Sequence, residues 1–181
     1  MLILALCCAL VVGWAAGGRL SRWEAAGLRA LPLPVLALLL QGLQGLLPVL
    51  AGGLVLLSYL LLALFLWWNR ALRKTALLSG LGCLSNALVI SVNGLRMPVS
   101  ARAMACLSPA GAARLAAGEI PMYALAGADT RLGSLGDMLY CPFPLLGGFA
   151  SVGDLLLAAG IFFCLLRLMA PPRLPRWMVS G

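Results

Sequence analysis

The 181 residues are 63% hydrophobic and only 10% charged, with a mean hydropathy of +1.05, far from the half-apolar, quarter-charged make-up of soluble domains. That excludes a water-soluble enzyme, and it also excludes a nucleic-acid-binding domain despite the formal charge of +8. The basic residues stand in short segments between apolar runs, the pattern of topology signals and of contact with anionic lipid headgroups.

The chain reads as one integral membrane domain, 1–181. Its expected fold is all-α, a polytopic transmembrane helix bundle of about five spans with one long outer loop carrying a short helix. Helices of about 20 residues crossing ~30 Å of hydrocarbon use most of the length.

The first apolar run predicts a span over 2–17. Arg19, Arg22 and Arg29 follow, with Trp23 among them at interfacial level, and mark a cytoplasmic loop. No charge interrupts residues 31–68, which predicts two spans, 32–49 and 52–68, around a tight turn near Pro48 to Gly53. Gln41 and Gln44 are three apart and share a helical face beside Gly42 and Gly45, suited to a helix contact with an interhelical hydrogen bond or to a polar ligand. Trp67 and Trp68 mark the next interface, and Arg70, Arg73 and Lys74 form a second basic loop.

A fourth span is predicted over 75–93, with Gly80 and Gly82 permitting close approach. Asn86 and Asn93 are seven apart and fall on one face, where each polar group needs a partner. Gly94 then turns the chain and Pro98 prevents helix from continuing. Arg96 has two readings: a side chain reaching the headgroups, or the partner of Asp137 or Asp154.

The outer loop occupies 94–149. Within it Ser108, Pro109 and Gly118 read as N-cap, first residue and stop of a short helix. Pro142, Pro144, Gly147 and Gly148 predict irregular or briefly extended chain. The last span is predicted over 150–169. The basic residues of the first loop, of the third loop and of the tail (Arg167, Arg173, Arg176) then fall on one side, which puts the amino terminus outside and the carboxyl terminus in the cytoplasm. Arg96, Arg102, Arg114 and Arg131 lie on the other side, balanced by Glu119, Asp129 and Asp137.

Candidate chemistry concentrates in Asp129 to Leu157, where Ser-x-Gly-Asp occurs twice, ending in Asp137 and in Asp154. Ser151 with Asp154 three residues on is a capping-box start for the last helix, and Asp137 after Gly136 suits a solvated turn; both are structural uses. The functional use is a carboxylate pair at a partly dry edge, one protonated and one ionised, activating water between them. No His exists to serve as a base or a zinc ligand, and no phosphate loop, haem motif or flavin motif is present. Neither a metal nor a cofactor is therefore expected. Cys7, Cys8, Cys83 and Cys164 sit in apolar spans, whereas Cys106 and Cys141 share the outer loop, where pairing and free thiols both remain open.

Trp67-Trp68-Asn69-Arg70, Asn93-Gly94-Leu95-Arg96-Met97-Pro98-Val99 and the segment from Leu135-Gly136-Asp137 to Ser151-Val152-Gly153-Asp154 resemble an uncharacterised family of small bacterial multi-pass membrane proteins, a domain of unknown function, over nearly the whole chain. The resemblance implies a bacterial plasma membrane and supplies no activity. Over the last third, the order of Asn-Gly turn, Asp137 and Asp154 is similar to signal peptidase II, an aspartyl enzyme. The chain departs from that family in carrying Ser151 where an Asn precedes the second carboxylate, and Arg96 and Met97 where small residues follow the Asn.

Three functions follow. The first is a non-catalytic integral plasma-membrane protein acting in assembly, in contact with anionic lipid or as partner of another membrane protein. The alternative is an intramembrane aspartyl-type hydrolase using Asp137 and Asp154, with Asn93 as an orienting donor. The second alternative is a small transporter or channel subunit, resting on Gln41, Gln44, Asn86 and Asp154.

Overall fold

The computed structural model describes residues 2–22, 27–142 and 148–180. Trp23, Pro144 and Gly147, each given a role above, lie outside them. Five apolar helices form the body: α1 (Leu2–Ala15), α2 (Pro32–Leu43), α3 (Ala51–Trp68), α4 (Arg73–Val92) and α7 (Val152–Met169). Among the described residues three stretches are long and apolar enough to cross a membrane: Pro48–Trp68, Arg73–Val92 and Val152–Met169. The other two helices are shorter, α1 with 14 residues and α2 with 12. α1 gives way to the Ala16–Gly17 turn, and a turn of 3-10 helix at Pro48–Leu50 separates α2 from α3.

The helices pack as an alternating bundle in which α1 runs beside α7 in the same direction. Gly18 and Arg19 fold the end of α1 onto the end of α7, where the Arg19 amide donates to the Met169 carbonyl and Arg173 returns a bond to Ala16. Asn69 holds the start of α2 against the end of α3, donating to Arg29 O and accepting from Arg29 N, each at 2.9 Å. The basic clusters at Arg19–Arg29, Arg70–Lys74 and Arg167–Arg176 thereby gather at one pole. There Lys74 lies over the rings of Phe163 and Trp177.

The opposite pole carries a four-stranded sheet, which corrects the all-α expectation. β1 (Met97–Val99), β2 (Tyr123–Leu125), β3 (Asp137–Cys141) and β4 (Gly148–Ser151) are ordered β2-β1-β3-β4. β1 is parallel to both neighbours, while β3 and β4 are antiparallel. Gly94 at φ +64° reverses the chain out of α4 into β1.

Pro98 in an interior strand is tolerated for a geometric reason. Met97 and Val99 bond toward β2, so the missing amide of Pro98 faces β3, whose pairing begins only at Val99 with Asp137. Two short helices, α5 (Ala101–Met104) and α6 (Pro109–Ala116), cover the sheet, each opened by a serine cap, Ser100 and Ser108. A last turn, α8 (Arg176–Val179), ends the chain at the basic pole. Cys106 and Cys141 are free thiols, one exposed and one buried.

Candidate functional site

Asp154 is the third residue of α7. The Ser151 hydroxyl accepts from the Asp154 amide at 3.0 Å and Asp154 Oδ2 accepts from the Ser151 amide at 3.0 Å, a complete capping box. It satisfies two amides of the helix start and places the acid at the positive end of the dipole.

The network then leaves α7. The Ser151 hydroxyl donates to Asn86 Oδ1 at 2.8 Å, and Asn86 Nδ2 donates to Asp154 Oδ1 at 2.8 Å and to Tyr59 Oη at 3.1 Å. One fully buried amide thus joins α3, α4 and α7. Gly153 makes room for it, since a Cβ there would run into the Asn86 side chain.

Asp137 is the first residue of β3 and sits opposite Ser151 across the β3–β4 ladder. The sequence reading of a solvated turn is corrected: the turn is Gly133–Leu135, and Asp137 is only 2% exposed. Its carbonyl accepts from the Ser100 amide at 3.0 Å, while its buried Oδ1 has no hydrogen-bond partner among the described residues. Burial, and after it the charge of Asp154, pushes the Asp137 carboxyl up to about 8. At neutral pH it is therefore mainly a neutral acid. Burial, then the charges of Asp137 and Asp154, likewise raises the Tyr123 phenol above its ordinary value.

A cavity of about 200 Å³ lies between these groups, lined by Asp137, Asp154, Asn86, Gln41, Gln44 and the two tyrosines. Gln41 also makes the interhelical bond its spacing suggested, donating to Ser58 Oγ at 2.9 Å. The structure therefore brings together Gln41, Gln44, Asn86, Asp137 and Asp154, with Ser151 buried behind them.

Asn93 and Arg96 stand elsewhere. Asn93 donates to Val89 O and Arg131 O and accepts from the Arg131 amide, so it pins the loop after β2 to the end of α4. Arg96 is exposed and forms no ion pair among the described residues; it lies beside Gly118 and Glu119 in a surface depression. Tyr59 and Tyr123 were missed. Tyr59 carried a signal, because with Ser58 it supplies the only hydroxyl groups in the apolar run 51–68.

Chemically, the cavity sets a neutral carboxylic acid with an unpartnered oxygen beside a carboxylate held in place by an amide, a backbone N–H and a helix start. Such a pair can donate a proton from one side and accept one on the other. Among the described residues no group of three or more acidic or cysteine side chains could hold a metal ion.

No curated protein and no solved structure matches the chain. A family match covers residues 28–166, from just before α2 to within α7, and so includes every cavity-lining side chain named above. The chain belongs to DUF5317, a family of unknown function.

Proposed function

We propose that the chain is a multi-pass protein of the bacterial plasma membrane and that the Asp137–Asp154 cavity is an aspartyl-type hydrolytic site at its outer edge. The observation that carries the reading is the buried, unpartnered oxygen of Asp137 on a cavity shared with Asp154. Three helices of spanning length support membrane insertion. The gathering of basic residues at the pole away from the sheet supports a cytoplasmic carboxyl terminus and an outer sheet. A five-span plan adds α1 and α2, which lie alongside the longer helices.

In the proposed reaction, Asp154 takes a proton from water as its oxygen attacks a carbonyl carbon, and Asp137 gives its proton to the carbonyl oxygen. The resulting diol collapses: the carbon–heteroatom bond breaks, Asp154 returns its proton to the leaving group and a diol hydroxyl restores Asp137. Asn86 and Ser151 are positioning residues that aim Asp154. Asn93 takes no orienting part in this reaction, because its side chain is engaged with Arg131.

The non-catalytic reading has its own support, since the capping box and Asn86 give both oxygens of Asp154 a structural use. Mass spectrometry of membranes from cells overproducing the wild type, Asp137→Asn or Asp154→Asn separates the two. Cleavage products that accumulate only with the wild type are expected; identical profiles from all three would leave the non-catalytic component as the better reading.

A further inference from the structure

The polar cavity continues past Asp154. Between the α2–α3 hairpin and the α4–α7 pair lies a second cavity of about 190 Å³, which shares Leu2, Gln41, Tyr59 and Asp154 with the first. Its remaining walls are mainly apolar, with Ala37, Leu62, Phe65, Leu157 and Ile161 among them and Thr75 and Ser79 the two hydroxyl residues, down to Cys164. α7 rises about 15 Å between Asp154 and Cys164, half of the ~30 Å hydrocarbon core and thus the depth of one leaflet. Leu38 both lines this slot and is 62% exposed on the outer face of α2, so the slot reaches the bundle's side.

A slot one leaflet deep, apolar along most of its length, laterally open and continuing at Asp154 into the cavity that holds Asp137 has the dimensions and polarity of a single lipid chain joined to a polar head. We infer that the site takes an amphiphile with one acyl chain in the slot and an uncharged ester or amide head between Asp137 and Asp154, entering from the bilayer past Leu38.

The head is uncharged because the described residues that line the two cavities include both carboxyl groups and no Arg or Lys, so a phosphate or carboxylate head would meet like charge without a counterion among them. Gln41, Gln44 and the tyrosines offer donors and acceptors to a carbonyl-containing head. The head chemistry rests on the hydrolytic reading; the chain position rests on the shape and lining of the slot alone.

The test uses the full chain in lipid nanodiscs and a monoacylglycerol bearing a photoactivated diazirine in its chain, with labelled residues mapped by mass spectrometry. Labels are expected on slot-facing residues such as Leu62, Leu157 and Ile161, moving along α7 as the diazirine is moved toward the head. Ala37→Trp, or Ile161→Phe should the first fail to fold, is expected to reduce slot labelling several-fold while retaining the melting temperature. A lysophosphatidic acid probe of the same chain should label the slot several-fold less.

Labels confined to outward residues such as Leu36, Leu39 and Leu64, or unchanged by either slot-filling variant, would overturn the proposal. Equal labelling by the phosphate probe would overturn the uncharged head. Slot labelling that persists in Asp137→Asn, with no cleavage product from any chain, would sink the hydrolytic reading and leave this one standing. Cleavage by the wild type with outward labelling alone would do the reverse.

Discussion

Asn86 holds Asp154 through a 2.8 Å hydrogen bond from its Nδ2, while its own Oδ1 accepts the hydroxyl of the serine that caps the same helix. Every polar atom of the Asn86 amide is therefore committed at a fully buried position. Asn86→Ala leaves the Ser151 hydroxyl proton and Oδ1 of Asp154 without a protein partner, although the capping box itself remains, and is expected to cost about 1–3 kcal/mol. Thermal unfolding of the detergent-solubilised protein measures this; an unchanged melting temperature would mean that the network contributes nothing.

Asp137 makes stability depend on pH with a definite sign. Its carboxyl is raised from 3.8 to about 8 in the folded protein. Between those values the unfolded chain releases this proton and the folded chain keeps it. Folding stability from this group therefore falls as pH rises from about 4 to 8, and levels off above. Asp137→Asn removes the effect, so the variant should gain on the wild type by more than about 1.4 kcal/mol, one pKa unit, between pH 5 and pH 8. Parallel melting curves at the two pH values would contradict the burial of this acid. The same proton sets the alkaline limb of any hydrolysis, with activity lost as pH rises through about 8.

The α4–α7 contact is close because both helices present glycine. A Cβ on Gly82 would come within 2.6 Å of the Gly153 carbonyl, and one on Gly160 would collide with Ser79 Oγ. Gly82→Ala and Gly160→Ala should each lower the melting temperature and cost about 1–3 kcal/mol by overpacking. Gly53→Ala in α3 meets nothing within 4 Å and should be neutral or slightly stabilising. Equal effects at all three positions would refute close packing as the cause.

Arg96→Ala is expected to change stability by no more than about 0.5 kcal/mol, as for an exposed side chain without a partner. Asn93→Ala, three residues earlier, should cost about 1 kcal/mol or more through the lost bonds to Val89 and Arg131. Melting measurements on the two variants check the contrast, and a larger loss at Arg96 would restore an ion pair to that residue.

The proposed orientation predicts that a reporter active only in the cytoplasm works when fused after Gly181 and is silent when fused near Gly127. The opposite pattern would move the sheet, and the cavity with it, to the inner face.

Legibility in the sequence followed length. Apolar runs marked the three helices of spanning length, while the expected span 32–49 is a helix only over Pro32–Leu43; Ser108 with Pro109 marked the start of α6. The sheet escaped because its strands hold three to five residues, too few for an alternating pattern, and because Pro98 read only as a stop to helix. Asp137 read as solvated for the same reason: its burial depends on β1 and β4 meeting across it. The spacing that put Asn86 and Asn93 on one face did not tell them apart: seven residues separate them by about 10 Å, and the bonds that single out Asn86 come from Tyr59 and from Ser151 and Asp154, distant in sequence.

The parallel packing of α1 on α7 bears on how the protein is made. Leu2 and Asp154 border both cavities, yet they belong to the first and last helices of the bundle. During synthesis the earliest helix must wait for the latest one. Until α7 arrives, Asn86 has neither its serine nor its carboxylate, and Asp137 has no β4 to pair with. A nascent chain stalled before residue 148 would keep contacts such as Asn86–Tyr59 and Gln41–Ser58 but lack everything that Ser151 and Asp154 contribute, so the two acids meet only once α7 is made.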